Sequence, residues 1–227
     1  MSYNNGPRIV TNGLVLCLDA GNSKSYPGTG TVWNDLSGNN NNGTLTNGPT
    51  FNSSNGGSIV FDGSNDYVEV PTTSSINDCL ASDFSYEMWS FPKTSGFQFG
   101  KIFGKGAFQS STGYNGLTYS TTSFNCSFAH VLGSRTMFNL PPNKWYHLVI
   151  TRIGTTLKGY VNGNNTSTHT GISFNYSGNF PLRLSANSQP TPDTTAQNLS
   201  IFKQYNRGLT DLEIIQNYNA TKGRFNL

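Results

Sequence analysis

The chain spreads 11 acidic residues and 3 histidines over 227 positions, so acid–base chemistry has few places to sit. Glycoside hydrolysis needs two carboxyl groups, about 5–5.5 Å apart for retention or about 6.5–9.5 Å apart for inversion. On a strand that asks for acids at i and i+2, which share a face. No strand-like segment carries such a pair. Glu87 stands alone in Tyr86-Glu-Met-Trp89, and Asp66 and Glu69 are three apart, on opposite faces of a regular strand. His130, His147 and His169 fall in separate strand patterns with no nucleophile beside them. Each reads as a hydrogen-bonded strand histidine. No phosphate-cradling or dinucleotide glycine fingerprint is present. These residues do not predict an enzyme.

Binding chemistry has more material. Calcium takes six to eight oxygens from carboxylates, asparagine side chains and carbonyls. The candidate ligands are Asp35 with Asn39, and Asp62 with Asn65 and Asp66. The competing reading is that these residues bond their own backbone in turns. Neither loop follows the helix–loop–helix calcium pattern. Sugar binding asks for exposed aromatic faces flanked by amides and hydroxyls. Tyr26, Trp33 and Tyr114 are the candidates, with Phe97 and Phe108 as further loop aromatics. Trp33 also suits a core. Phe97, Phe99, Phe103 and Phe108 are too dense to be all exposed, so most are expected inside. Cys17, Cys79 and Cys126 are odd in number and far apart, which fits neither a disulfide framework nor a metal spacing. They read as reduced thiols, with Cys17 and Cys126 as small apolar fillers.

The elements that must position these groups are strands. Leu14, Leu16 and Leu18 alternate with Val15, Cys17 and Asp19. Strand patterns follow at 58–61 and 67–70 across Asp62-Gly63, then at 84–91, 97–103, 116–120 and 124–131. Residues 145–152 and 156–161 make a hairpin across Gly154, and Asn162-Gly163 turns toward 166–170. Segments 181–185 and 196–205 close the series. Residues 20–57 are rich in Asn, Gly, Ser and Pro, and are expected to hold short ordered pieces anchored by Trp33, Leu36, Leu45 and Phe51. One helix is specified, over about 210–222. Thr210 and Glu213 form a capping box, Leu209 and Ile214 a hydrophobic staple, and Gly223 the expected stop. Ile214, Ile215 and Tyr218 supply its apolar stripe. Residues 1–12 read as an N-terminal arm and 13–227 as a single domain. The arm and the tail from Arg224 to Leu227 are candidate docking segments or frayed ends.

Charged residues make up 11%, below the usual share of about 25%, while aromatics reach 13%. That is enough apolar material for a core. The net charge of +3 predicts no nucleic-acid partner. No stretch approaches the ~18 apolar residues of a membrane span. The opening Met1-Ser-Tyr-Asn-Asn lacks an apolar signal core, so the expectation is either a signal removed before this numbering starts or synthesis and use in a cytosol, which Met1 favours.

Four segments carry a family resemblance. They are Gly13-Leu-Val-Leu-Cys-Leu-Asp19, Trp33-Asn-Asp-Leu-Ser-Gly-Asn39, Ser58-Ile-Val-Phe-Asp-Gly-Ser-Asn-Asp66, and Tyr205-Asn-Arg-Gly-Leu-Thr-Asp-Leu-Glu-Ile-Ile-Gln-Asn-Tyr218. Together they resemble a laminin-G-like jelly roll of the concanavalin A-like lectin/glucanase superfamily. The resemblance implies an all-β antiparallel sandwich whose first and last strands pair, followed by one short C-terminal helix. It implies that Trp145-Tyr-His147 is a structural strand entry, and that calcium at the sandwich rim is a property of related domains. The Asn-rich style resembles structural proteins of tailed bacteriophages. That implies a non-catalytic virion surface protein, on the capsid or the tail fibre, binding host-surface polysaccharide. Its partners would be that polysaccharide, other virion subunits and further copies of itself, with assembly in the host cytoplasm. The alternatives are a secreted or cell-surface bacterial lectin, and a purely structural virion subunit.

Overall fold

The computed structural model describes residues 7–77, 82–96, 98–106, 115–130, 133–172, 179–188 and 192–227. Cys79, Phe97, Phe108 and Tyr114 lie outside the described residues. In chain order the strands are β1 (Leu14–Asp19), β2 (Val32–Trp33), β3 (Gly43–Thr46), β4 (Thr50–Asn52), β5 (Ser58–Phe61) and β6 (Tyr67–Val70). After the one-turn helix α1 (Ser74–Asn77) come β7 (Phe84–Gly96), β8 (Phe99–Lys105), β9 (Asn115–Ser120), β10 (Asn125–His130) and β11 (Gly133–Asn139). Then follow β12 (Tyr146–Ile153), β13 (Thr156–Val161), β14 (Asn164–His169), β15 (Leu182–Leu184) and β16 (Thr195–Tyr205), and last the helix α2 (Asp211–Thr221).

The strands form two antiparallel sheets. The back sheet runs β14-β13-β12-β7-β16-β5-β4, with β1 also paired to β16. The front sheet runs β11-β10-β9-β8-β15-β6-β3-β2. First and last strands therefore pair, with Leu18 opposite Phe202, as the resemblance implies. The core lies between the sheets. Tyr86, Met88 and Phe202 of the back sheet meet Phe103, Leu117 and Phe128 of the front one, all fully buried. The Tyr86 and Phe103 rings are 4.5 Å apart between centroids and join the layers. Each such side chain stabilises the fold by about 1.5–3 kcal/mol through burial.

The central strands of the back sheet, β7 and β16, are buried on their other face too. There Ser85, Glu87 and Trp89 of β7 lie beneath α2 and the chain end. This explains why β7 and β16 are buried almost residue by residue rather than alternately. The capping box of α2 forms as expected, with the Thr210 hydroxyl accepting from the Glu213 N–H and the Glu213 carboxylate accepting from the Thr210 N–H. Leu209 and Ile214 are buried together as the staple. Two expectations for the helix need correction. Ile215 is 42% exposed, and the inward position belongs instead to the fully buried Asn217. Gly223 does not stop the helix in a left-handed conformation; the chain tightens into a 3-10 turn over Lys222–Phe225 and Asn226 takes φ 58°.

Neither chain end is loose where it is described. The Val10 N–H donates to Asn217 Oδ1 at 2.7 Å, and the Tyr205 hydroxyl donates to the Val10 carbonyl. Arg224 grips both carboxylate oxygens of Asp19, and Phe225 stacks on Trp89 with ring centroids 3.9 Å apart. In residues 20–57, Trp33 and Leu45 are anchors as expected, whereas Leu36 is 38% exposed.

Candidate functional site

The outer face of the front sheet carries a groove over β8 to β11, and its shape depends on one irregularity. In β8 the pairing with β9 shifts between Lys101 and Phe103. Strict alternation would put Phe99, Lys101 and Phe103 on one face. The bulge reverses the parity. Phe103 turns inward and is fully buried, while Phe99 stays outward at 58% exposure. Of the two described members of the crowded phenylalanine run, Phe103 is the core residue and Phe99 the exposed one.

Phe99 stands at one side of a groove of roughly 600 Å³ that crosses four strands. Thr118 and Ser120 of β9, Asn125 and Ser127 of β10, and Ser134 and Thr136 of β11 line it. These side chains sit at alternate positions along each strand, and they offer hydroxyls and an amide. Neighbours hold one another loosely: Ser127 Oγ and Thr136 Oγ1 are 3.4 Å apart, and Asn139 Nδ2 donates to Asn125 Oδ1 at 3.0 Å. The floor near β8 carries Lys101 and Asp193, with Nζ 3.6 Å from Oδ2. Burial lowers the Lys101 pKa, and the Asp193 charge works against that shift. Asn187 Nδ2 donates to Asp193 Oδ2 at 3.0 Å and fixes the carboxylate. Gly100 makes this floor possible, because a Cβ there would lie 2.2 Å from the Thr194 carbonyl oxygen. Among the described lining residues Asp193 is the one acid, so the groove lacks the carboxyl pair of a glycosidase.

Of the sugar-binding aromatics expected from sequence, Tyr114 lies outside the described residues, and Trp33 and Tyr26 face inward. Trp33 is fully buried in the core and Tyr26 is 4% exposed. Tyr26 donates its hydroxyl to the Gly30 carbonyl and packs on Phe51 at 5.6 Å. The Asn-rich segment folds inward around them, so neither ring offers a face to a ligand.

The calcium candidates divide. Asp35 spends Oδ1 on the Cys17 and Ser37 N–H groups, and Oδ2 on the Asn41 N–H and the Ser37 hydroxyl. Asn39 Nδ2 donates to the Val15 carbonyl. This pair ties a loop to β1 and does not fit a cation. At the other turn, Asp62 Oδ1 accepts from the Ser64 N–H and Asp66 Oδ2 accepts from the Asp62 N–H, which leaves one oxygen on each carboxylate. The Asp66 pKa is raised by burial, opposed by that N–H, and raised again by the Asp62 charge. Among the described residues no three His, Cys, Asp or Glu side chains converge as a metal cluster. A cation at this turn would lean on Asn65 and backbone carbonyls.

One cluster was missed by sequence reasoning. Glu87 is fully buried, and Lys203 Nζ lies 2.8 Å from its Oε1, with His147 Nε2 at 3.1 Å. Asn217 Nδ2 donates to Oε2 at 2.6 Å, and the Tyr205 hydroxyl lies 3.4 Å away. Burial pushes the Glu87 carboxyl up. The Lys203 charge and the hydrogen bonds from His147 and Lys203 outweigh burial and hold it at about 2. Roofed by α2, the cluster is a buried structural network. Its partners are 60 to 130 residues from Glu87 in sequence, beyond the reach of any local pattern. The two described cysteines are free and buried. Burial pushes the Cys17 thiol to about 12 and the Cys126 thiol well above its ordinary value, so both are chemically quiet.

A second, smaller cleft of roughly 370 Å³ lies between β12, β13 and the start of α2. Ile153 and Leu212 at its mouth are 51% and 78% exposed.

A sequence model of the laminin G type, described as the concanavalin A-like lectin/glucanases superfamily, matches residues 62–215. The chain belongs to this family. No curated protein sequence matches it. Among solved structures, the sialidase of Trypanosoma rangeli aligns at 16% identity with a TM-score of 0.72, over 96% of this chain but only 35% of the sialidase. This chain thus corresponds to about a third of that enzyme. Domain 4 of AbnA, an extracellular GH43 arabinanase of Geobacillus stearothermophilus solved with arabinotriose, aligns at 16% identity and TM-score 0.67, over 90% of this chain and 98% of that domain. The binding domain of Paraclostridial Mosquitocidal Protein 1 aligns at 16% identity and TM-score 0.70, over 92% of this chain and 52% of that one. At these identities the likenesses establish the lectin/glucanase-type sandwich and nothing finer.

Proposed function

We propose that this domain binds glycan chains without cleaving them, along the groove of the front sheet. The observation that carries the reading is Phe99, an exposed ring at one side of a ladder of hydroxyls and an amide. A ring face takes the apolar side of a sugar, and the ladder takes its hydroxyls. The lone acid in the described lining supports a non-catalytic role. The arabinanase domain seen with arabinotriose and the binding domain of the mosquitocidal protein are in keeping with it.

We place the domain on the surface of a tailed-bacteriophage particle, holding host polysaccharide, with a secreted or cell-surface bacterial lectin as the alternative. Buried, unpaired thiols fit assembly in a reducing cytoplasm. The cleft at Ile153 and Leu212 favours, as a second reading, contact with a neighbouring structural subunit. The groove is tested by Phe99→Ala in a polysaccharide retention assay. The expected loss is roughly tenfold in affinity, about 1.4 kcal/mol, with unchanged thermal stability because the ring is exposed. Binding that survives the change intact would remove the groove from the function.

A further inference from the structure

The charge pattern of the groove points to the class of glycan it takes. We infer that the site selects neutral polysaccharide and excludes acidic chains such as those built from uronic or sialic acids. The inference rests on the glycan-binding reading above and deepens it.

An acidic glycan needs an exposed cation, and arginine or lysine supplies it by charge-assisted hydrogen bonds. In this groove the described lining holds a single cation, Lys101, whose side chain is 4% exposed against 34% for Asp193. Lys101 already donates to the Phe99 carbonyl at 3.0 Å and faces Asp193 at 3.6 Å. The ammonium is thus spent inside the wall, and the charge turned toward solvent is a carboxylate. A ligand carboxylate laid over β8 would meet a like charge first, and like charges brought together at an interface are unfavourable. The remaining lining groups (Gln98, Thr118, Ser120, Asn125, Ser127 and Thr136 among them) are neutral donors and acceptors suited to hydroxyls.

The test is retention of the native domain on immobilised neutral polymers (linear arabinan, mannan, β-glucan) and acidic ones (polygalacturonate, polysialic acid), beside Phe99→Ala and Asp193→Asn. The expected result is retention on at least one neutral polymer, lost in Phe99→Ala, insensitive to moderate salt, with no retention on acidic ones. Asp193→Asn removes the exposed carboxylate and leaves the underlying cation uncompensated, so retention on polygalacturonate should rise roughly fivefold to tenfold, an effect of about 1 kcal/mol. Acidic polymers held as well as neutral ones, through Phe99, would overturn the selectivity while leaving glycan binding in place. An Asp193→Asn variant that still rejects polygalacturonate would overturn the role of the ion pair. Retention on no polymer of either class would overturn glycan binding itself, and the selectivity with it.

Discussion

At the scale of single residues, Glu87 decides more than any candidate ligand. A buried charge is tolerated only when its partners are complete, and Glu87 has Lys203, His147, Asn217 and Tyr205 around it. Replacing it by alanine leaves Lys203, 2% exposed, without its counter-charge. We expect Glu87→Ala to cost about 3–5 kcal/mol, read as a loss in chemical denaturation, and Glu87→Gln to cost less because it keeps an acceptor for Asn217. The pH dependence has a definite sign. The folded pKa, about 2, lies below the ordinary value of 4.5, so the native state binds this proton more weakly than the unfolded chain. The stabilisation is fully present above 4.5 and fades as pH falls toward about 2. Thermal melts taken down through that window should show the native protein losing stability faster than Glu87→Gln. Parallel curves would show that the carboxylate adds nothing there.

At the scale of elements, what was legible is what is local. The Thr210–Glu213 box and the Leu209–Ile214 staple occupy six consecutive residues, and the helix starts where they say. Thr210→Ala removes one of these bonds and should cost about 1 kcal/mol, seen as a lower Tm without loss of glycan retention. The face of β8 was not legible, because one bulge reverses which side Phe99 and Phe103 take, and nothing in the spacing announces a bulge. The inward course of Tyr26 was hidden for a related reason: residues 20–57 are polar in composition, yet pack this ring beneath themselves beside Trp33, the anchor that was expected. Neither reading of the tail, docking segment or frayed end, placed it inside the domain, because its partner Trp89 lies 136 positions before Phe225 in sequence. Gly100 belongs to this scale as well. Its missing Cβ lets β8 lie against Thr194, so Gly100→Ala must push two backbones apart. The expected cost is about 1–3 kcal/mol, together with weakened glycan retention as Asp193 is displaced. A variant of native stability and native retention would show that the close approach is not needed.

At the scale of the whole molecule, the two faces divide the work. Over β7 and β16 the back sheet is covered by α2 and both described chain ends, which leaves the groove of the front sheet and the cleft at Ile153 and Leu212 to meet partners. The turn from β5 to β6 is one of the connections that pass from one sheet to the other, and Asp62 and Asp66 sit on it. Asp66 is 5% exposed and its folded pKa is raised, by burial first and by the neighbouring Asp62 charge as well. A raised carboxyl makes the sign opposite to that of Glu87. Its contribution is most favourable below the ordinary value of 3.8 and is lost as pH rises through the folded value, so at neutral pH the ionised Asp66 works against the fold. A cation relieves both causes at once, and we propose calcium for that place, joining the sheets rather than touching the glycan. Two changes in Tm check this. Calcium should raise the Tm of the native domain and EDTA should reverse it, with glycan retention unaffected by either. Asp66→Asn removes the buried charge and keeps an oxygen for the Asp62 N–H. It should raise the Tm in EDTA and abolish the response to calcium. An EDTA Tm unchanged by Asp66→Asn would show that the carboxylate carries no strain, and a native Tm indifferent to calcium would leave Asp62 and Asp66 as turn residues alone.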